Sequence, residues 1–260
     1  MASPRVIVIR APGTNCDEEA VVAWQRAGAV AETWHVNRLI DSPAVLDRFE
    51  ILTIPGGFSY GDDLGAGRIL ATRLGVVLGD GLRRFHDRGG LVLGICNGFQ
   101  VLVRSGLLPG GPFPFAATLA HNDSGRFEAR WVNVVPRPGL CPFVTFNEPI
   151  ELPVAHGEGK FLTALPAQLG RLEQNGQIVL QYACAAGRPT QEYPANPNGS
   201  AGAAAGVCDS TGRIFGLMPH PERFVESWHH PRWTRRVDGP GGVGDGLLIF
   251  RSAVQSLQSS

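Results

Sequence analysis

The sequence lacks any apolar stretch near the ~20 residues that a membrane-spanning helix needs. The apolar run at its N-terminus, within MASPRVIVIRAPG, is too short for a secretory signal. An excess of charge is missing as well, because 23 basic residues balance 23 acidic ones. A dedicated nucleic-acid-binding protein usually carries surplus lysine and arginine. We therefore expect a cytoplasmic protein with neither a nucleic-acid nor a membrane partner.

Clustered cysteines are also missing. The five cysteines lie far apart, and neither a CxxC pair nor a regular Cys/His spacing occurs, so the sequence predicts no metal site. A chain of 260 residues with 43% hydrophobic residues can bury a full core without a disulfide framework. We expect free thiols in a reducing compartment and a single domain over residues 1–260.

The first half of the chain alternates short apolar runs with helical patterns. The runs are nearly continuously apolar, which is typical of strands that are covered on both faces. They occupy residues 5–10, 49–55 and 91–95, with a further candidate strand at 30–36. Helical patterns occupy residues 17–28 and 68–88. This alternation predicts an α/β fold with a doubly wound, mostly parallel sheet and helices on both faces.

The second half has a different pattern. Alternating polar and apolar residues predict half-buried antiparallel strands at 127–135, 149–156 and 177–183. The pair 205–209 and 213–219 flanks Ser210-Thr211-Gly212, which favours a hairpin. We expect a smaller antiparallel β section here, then an extended loop over 225–246 and a C-terminal helix over 245–257.

The segment 94-GICNGFQ-100 directly follows a predicted strand. A strand, then G-x-C-x-G, then a helix is the cysteine form of a nucleophile elbow, in which glycines allow a sharp turn. Cys96 would then stand at the carboxyl end of its strand, and the start of the next helix would favour the thiolate. The alternative is a buried structural cysteine.

A thiol nucleophile needs a base and a group that orients the base, and 218-MPHPER-223 supplies both. Prolines push the residues before them into extended backbone, so His220 and Glu222 should project to the same side. An oxyanion also needs N–H donors, which the loop 55-PGGFSYGDD-63 and the backbone of Asn97 can provide. The alternative for that loop is an ordinary glycine-rich turn.

These segments together resemble the class I (triad) glutamine amidotransferases, whose pattern is P-G-G, then G-x-C-x-G-x-Q, then H-P-E. The resemblance extends to one family, the glutaminase subunits of phosphoribosylformylglycinamidine synthase, which serve purine biosynthesis. It covers residues 5 to about 225. The segments that carry it are PGTNCDEE at 12–19, PGGFSYGDDLGAG at 55–67, GICNGFQVL at 94–102, VAHGEGKF at 154–161, NPNGS at 196–200 and GLMPHPER at 216–223.

The resemblance implies a mechanism and a set of site residues. Cys96 would attack the side-chain amide of L-glutamine and form a glutamyl thioester, and His220, oriented by Glu222, would protonate the leaving ammonia and then activate water. The oxyanion and substrate would be bound by Gly57, Phe58, Asn97 and Gln100. His156 and Glu158 are secondary candidates that would line the mouth of the site facing a partner, with a structural loop as the alternative.

The resemblance also implies a partner. Ammonia would pass to a large synthetase subunit that converts formylglycinamide ribonucleotide to its amidine with ATP and Mg²⁺. This chain has no GxxxxGK[ST] motif and would hold no cofactor of its own. Whether a small third subunit takes part is left open, because residues 225–246 look more like the fused, single-chain form of the enzyme. We expect little glutaminase activity without the partner.

Two other functions compete with this interpretation. A γ-glutamyl hydrolase or peptidase could use the same Cys96 and His220, but we do not expect it to combine this elbow with Glu222, NPNGS and AHGEG. A non-catalytic regulatory module would keep the fold and lose a triad member, whereas all three members are present.

Overall fold

The computed structural model describes residues 2–110, 117–235 and 242–259, with the backbone alone for residues 76–78. Within these ranges all five cysteines are free, as the sequence predicts. None of the helices described is both long enough and apolar enough to cross a membrane.

The first half alternates strands and helices. Its strands are β1 (Arg5–Arg10), β2 (Val30–His35), β3 (Ile51–Ile54) and β4 (Leu91–Ile95). Its helices are α1 (Asp17–Arg26), α2 (Val36–Asp41), α3 (Arg68–Asp87) and α4 (Asn97–Arg104). Three acidic residues in the first turn of α1 favour its start through the helix dipole. The predicted strands and helices are therefore confirmed to within about two residues, which is the usual uncertainty of such boundaries.

The second half is rich in strands. They are β5 (Ala117–His121), β6 (Glu128–Pro136), β7 (Ile150–His156), β8 (Glu158–Thr163), β9 (Ile178–Ala183), β10 (Ala204–Cys208) and β11 (Ile214–Leu217). Two further helices are α5 (Pro166–Gln174) and α6 (Leu247–Ser259). The hairpin β10–β11 and the C-terminal helix follow the sequence prediction, whereas α2, β5, β8 and α5 were not predicted.

Nine strands form one sheet in the order β2-β1-β3-β4-β11-β10-β9-β6-β7. The pairs from β2 to β11 are parallel, and the pairs from β11 to β7 are antiparallel. The α/β class is confirmed. Most of the antiparallel section continues the main sheet, and a separate two-stranded sheet is formed by β5 and β8.

The core lies against the parallel strands. Every residue of β3 and β4 is buried, as expected for strands that are covered on both faces. Trp24 of α1 packs edge-on against Phe250 of α6, with ring centroids 4.9 Å apart. The indole N–H of Trp24 donates to Thr53 Oγ1 at 2.9 Å, which ties α1 to the buried strand β3. This packing holds the carboxyl ends of the parallel strands in fixed positions.

The segment between β11 and α6 includes the predicted extended loop. The part described contains two short 3₁₀ turns, Ser227–His229 and Trp233–Arg235, and a β-bridge joins Glu226 to Val243. Residues 236–241 of this predicted loop lie outside the described residues.

Candidate active site

Three motifs predicted from the sequence follow three neighbouring parallel strands. β3 leads into Gly56 and Gly57, β4 leads into Cys96, and β11 leads through Met218 and Pro219 to His220. Because the carboxyl ends of parallel strands meet at one edge of a sheet, the three segments come together there. The edge strand β7 also reaches this point, since the carbonyl of Pro153 accepts the backbone N–H of His220 at 2.8 Å.

Cys96 occupies a strained backbone position between β4 and α4. Its φ is 51° and its ψ is −103°, a conformation that a residue with a side chain rarely adopts. The turn is tight because a Cβ on Gly98 would lie 1.8 Å from the carbonyl oxygen of Ile54. The observed strain and the required glycine agree with the predicted nucleophile elbow.

His220 is held by a buried carboxylate. Its Nδ1–H donates to Glu222 Oε1 at 2.6 Å, and both side chains are almost completely buried. A 3₁₀ turn, Pro221–Arg223, follows His220, so the extended geometry expected for both residues is replaced by a turn that still brings them together. The contact leaves Nε2 as the ring nitrogen with no hydrogen bond in the described part of the chain.

The charges around His220 favour its protonated form. Burial by itself lowers the pKa of the imidazole, but Glu222, then Cys96 and then Cys16 raise that pKa well above its usual value. The pKa rises overall because a carboxylate and sulfur atoms stabilise the protonated ring by more than burial destabilises it. His220 is therefore suited to hold a proton opposite Cys96 at neutral pH.

The loop after β3 is arranged to donate backbone N–H groups. Phe58 N–H bonds to the carbonyl of Gly13 at 2.9 Å, and Asn15 N–H bonds to the carbonyl of Gly56 at 3.4 Å. These two bonds make up the bridge between Thr14 and Gly57, so the N–H of Gly57 takes no part in it. Among the candidates for the oxyanion, Gly57 has a donor to offer, whereas the N–H of Phe58 is already used.

A cavity of about 170 Å³ adjoins Cys96. Gly57, Phe58, Gln100, His156 and Glu158 line it together with the nucleophile, so the structure brings these predicted residues into one place. Its wall also includes Asp62, Ala66, His121, Phe127, Ala155 and Gly157. The ring of Phe58 is about half exposed and stacks on Phe127, with centroids 6.5 Å apart. Phe58 thus contributes an aromatic wall rather than an oxyanion donor.

Asn97 and Gln100 connect the elbow helix to its surroundings. Asn97 Nδ2 donates to Gln100 Oε1 at 2.9 Å, and Asn97 Oδ1 accepts the N–H of Ser59 at 3.2 Å. Gln100 Nε2 donates to the carbonyl of Glu158 at 2.5 Å. Gln100 therefore lies in the cavity wall and also fixes the segment after β7.

The two secondary candidates lie at different depths. Glu158 is partly exposed and forms an ion pair with Arg104 at 3.3 Å. His156 is only 2% exposed, so its side chain is too buried to face a partner surface. His156 instead belongs to the inner wall of the cavity, next to Ala155, whose carbonyl lies 3.6 Å from the Cys96 sulfur.

Cys16 also lies beside the triad, although its sequence context indicates only a structural thiol. Its sulfur is 3.9 Å from His220 Nδ1 and accepts a hydrogen bond from the guanidinium of Arg223 at 2.9 Å. One feature could have indicated this position: Cys16 follows β1, and β1 is the strand next to β3. Cys16, His220 and Glu222 are close enough to hold a metal ion. We favour the predicted triad for His220 and Glu222 instead, because a short hydrogen bond already joins them and the guanidinium of Arg223 covers the sulfur of Cys16.

A larger cavity of about 700 Å³ also reaches Glu222. Its wall is formed by α1 and the loop before it, with contributions from Arg10, Val225 and His229. Cys96 is absent from this wall, so the smaller cavity, which the predicted nucleophile lines, is the better candidate for the reaction.

The chain is similar to known proteins over nearly its whole length. The model of the CobB/CobQ-like glutamine amidotransferase domain matches residues 3–256. A curated relative, phosphoribosylformylglycinamidine synthase subunit PurQ of Dehalococcoides mccartyi, is 46% identical over 98% of both chains. The protein of the same name from Methanococcus maripaludis is 40% identical over 97% of both.

Solved structures give the same result at the level of the fold. A chain in the structure of PurLQS from Thermotoga maritima is 32% identical and superposes with a TM-score of 0.75. The match covers 98% of this chain and 100% of that one. A putative GMP synthase component from Thermoplasma acidophilum, 14% identical with a TM-score of 0.57 over 100% of both chains, shares the fold alone.

Proposed function

This chain belongs to the PurQ family, the glutaminase subunits of phosphoribosylformylglycinamidine synthase, and from that membership we propose which of its residues carry out the reaction. The family hydrolyses glutamine to glutamate and ammonia for an ATP-dependent ligase of purine biosynthesis. The comparisons do not favour the γ-glutamyl hydrolase or the regulatory module. The residue roles that follow are our proposal.

One observation carries the proposal: the buried imidazole of His220 is held by a carboxylate and lies close enough to the strained Cys96 for the sulfur to raise its pKa. His220 Nδ1 lies 2.6 Å from Glu222 Oε1, and both Glu222 and the sulfur of Cys96 favour the protonated form of the ring. We assign Cys96 as nucleophile, His220 as acid and base, and Glu222 as the group that fixes the ring and stabilises its charge. This is the division of roles that a catalytic triad requires.

The first half-reaction then runs as follows. The thiolate of Cys96 attacks the side-chain carbonyl carbon of glutamine and forms a tetrahedral oxyanion, which the N–H groups of Gly57 and Asn97 stabilise. His220 donates its Nε2 proton to the amide nitrogen as the carbon–nitrogen bond breaks. Ammonia leaves, and a γ-glutamyl thioester stays on Cys96.

The second half-reaction restores the enzyme. Neutral His220 takes a proton from water, and the hydroxide attacks the thioester carbonyl. Collapse of the second oxyanion breaks the carbon–sulfur bond and releases glutamate, which leaves the thiolate of Cys96 beside protonated His220. One glutamine and one water are thus converted to one glutamate and one ammonia.

The relatives also support proposals about partners. We infer that the ammonia is used by a separate synthetase subunit that holds the ATP and Mg²⁺, and that a small third subunit joins the complex as the composition PurLQS suggests. No cofactor is assigned to this chain. We further propose that the chain acts as one domain, including the segment 225–246.

The test uses the chain reconstituted with its synthetase partners. Wild type, Cys96→Ala and the control Cys184→Ala, a half-buried loop thiol, are supplied with glutamine or with ammonium salt. We expect Cys96→Ala to lose glutamine-dependent amidine formation and keep the ammonium-dependent reaction. Acid quenching of the wild type with labelled glutamine should trap label on Cys96. Glutamine-dependent turnover by Cys96→Ala would overturn the assignment.

A further inference from the structure

The hydrogen bonds of His156 determine which of its ring nitrogens carries the proton. His156 Nδ1 lies 3.0 Å from Asn122 Oδ1. The orientation of the Asn122 amide is fixed, because its Nδ2 donates to the carbonyls of Arg126 and His156, both at 2.8 Å. Oδ1 also accepts the N–H of Gly159 at 3.1 Å. Asn122 Oδ1 is therefore an acceptor, and Nδ1 of His156 must be the donor.

His156 is neutral, so its Nε2 carries no proton and can only accept a hydrogen bond. Burial lowers the pKa of His156 to about 3, and the charge of His220 adds to the decrease. A neutral ring with its proton on Nδ1 has an unshared electron pair on Nε2. That atom is buried and has no hydrogen-bond partner in the described ranges. Buried acceptors without a partner are rare in proteins and call for an explanation.

The position of His156 in the cavity indicates which part of a substrate it meets. Among the wall residues, Asp62 and Glu158 lie close enough for their charges to interact, and Arg104 pairs with Glu158. His156 follows Ala155, whose carbonyl contacts Cys96, and it is close enough to His220 for the charge of that ring to lower its pKa. Glutamine carries a charged amino-acid group and a neutral amide. The charged group of Asp62, Glu158 and Arg104 suits the first, and the neutral His156 beside Cys96 suits the second.

We propose that His156 Nε2 accepts an N–H of the glutamine side-chain amide, and then an N–H of the ammonia released at Cys96. This inference rests on the function proposed above, because it assumes that the amide is cleaved at Cys96. An amide NH₂ offers two donors and the oxyanion N–H groups cannot accept them, so the nitrogen needs a separate acceptor. His156 binds the substrate at its reacting end and gives the cavity a preference for amides.

A neutral imidazole also suits the product. Ammonia is useful to a synthetase only while it stays unprotonated and retains its electron pair. A nitrogen as weakly basic as His156 Nε2 can accept a hydrogen bond from ammonia without supplying a proton to it. A protonated imidazole at position 156 would instead donate a proton to ammonia and convert it to ammonium.

The test compares two substrates that differ at the leaving group. L-Glutamine has amide N–H donors, whereas L-glutamate γ-methyl ester has none, and both yield the same thioester on Cys96. His156→Leu removes the acceptor, and His156→Gln places a carbonyl oxygen where it can partly replace Nε2. His86→Leu is the control, because His86 lies on α3, contacts Thr211 of the turn between β10 and β11, and is absent from the cavity wall. Steady-state rates are measured in the reconstituted complex, and thermal unfolding reports whether each variant is folded.

We expect His156→Leu to lose about tenfold to a hundredfold in kcat/KM for glutamine, the range for one hydrogen bond in a buried site. The ester should change by less than about threefold, and His156→Gln should recover part of the loss. If His156→Leu does not fold, the ratio of kcat/KM for glutamine to kcat/KM for the ester in His156→Gln decides whether His156 binds the amide. If wild type does not hydrolyse the ester, a second measurement replaces ester hydrolysis. It is the rate at which Cys96 is alkylated by the diazoketone analogue of glutamine, which lacks the amide.

The outcomes separate this inference from the proposed function. An equal fall for glutamine and the ester, or no fall for either, would overturn the role of His156 and leave that of Cys96 intact. Turnover of glutamine by Cys96→Ala would overturn both. A loss confined to glutamine supports the hydrogen bond, because a purely structural defect in the cavity would affect both substrates.

Discussion

The contact between Glu222 and His220 allows a quantitative prediction for Glu222→Gln. The substitution keeps the size of the side chain and an oxygen that can accept the Nδ1 proton, but it removes the negative charge. His220 and Glu222 are almost completely buried, so solvent screens their interaction weakly. The substitution therefore tests the charge of the triad rather than its shape.

The separation of 2.6 Å sets the size of the effect. With an effective dielectric constant of about 20, opposite unit charges at that distance attract by about 6 kcal/mol. The glutamine oxygen restores about 2–3 kcal/mol by accepting a hydrogen bond from the charged ring. The remaining loss of about 3–4 kcal/mol corresponds to a decrease in kcat/KM of about 10²–10³-fold.

The pH dependence should change in a defined direction. Burial lowers the pKa of His220 and Glu222 raises it, so removing Glu222 leaves burial to dominate and the pKa falls. The imidazolium proton is needed for the leaving ammonia, and it will be lost at lower pH in the variant. The alkaline limb of the profile of kcat/KM should therefore move to lower pH than in wild type.

Glutamate release by the reconstituted complex, measured across pH, checks both effects. Glu226→Gln is the matched control, because Glu226 forms its ion pair with Arg26 and not with a member of the triad. That control should keep its rate within about threefold, as expected away from the site. If Glu222→Gln retained a near-normal rate and an unshifted alkaline limb while folded, the assignment of Glu222 would be wrong.

Two further predictions concern stability. Gly98→Ala should destabilise the fold by more than about 3 kcal/mol or prevent folding, because its Cβ would lie 1.8 Å from the carbonyl of Ile54. Gly75→Ala, on an exposed position of α3 with open space around it, should instead stabilise it by up to about 1 kcal/mol; calorimetry compares the two. The pKa of His156 is lowered to about 3 in the folded protein, so the ring stays neutral there. In the unfolded chain the ring takes up a proton as pH falls from about 7 to about 5, so the free energy of unfolding of the wild type should decrease by about 2 kcal/mol. His156→Gln should lack that loss in urea titrations at both pH values, and an equal dependence in both proteins would contradict a neutral His156.

Much of the fold could be predicted from local sequence patterns, because burial on both faces leaves a recognisable apolar run. β1 and β4 show such runs and were located with their correct ends. β8, by contrast, contains Glu158, Gly159 and Lys160, so its sequence does not resemble a strand. Its strand conformation depends on pairing with β5, which local periodicity does not reveal.

The order of strands in the sheet was the second feature that the sequence could not provide. Alternating residues predict one buried face, but they do not show which strand lies next to which. The sequence therefore predicts an antiparallel section without saying how it joins the parallel strands, and the structure shows that β10, β9, β6 and β7 extend the main sheet. Because the strand order was unknown, the position of Cys16 beside His220 could not be predicted either. That position follows from the neighbouring places of β1 and β3 in the sheet.

Two buried imidazoles near Cys96, those of His220 and His156, show why the site needs its structure to be understood. Burial lowers the pKa of both rings, but Glu222 and Cys96 raise the pKa of His220 overall, whereas the charge of His220 adds to the effect of burial at His156. One ring can therefore deliver a proton to the departing nitrogen, and the other can accept a hydrogen bond from it. Partners that push two like groups to opposite protonation states are the usual way in which an active site divides acid and base roles. In this chain the charge of His220 depends on Glu222, which the H-P-E motif indicates, and the position of the proton on His156 depends on Asn122, which no motif does.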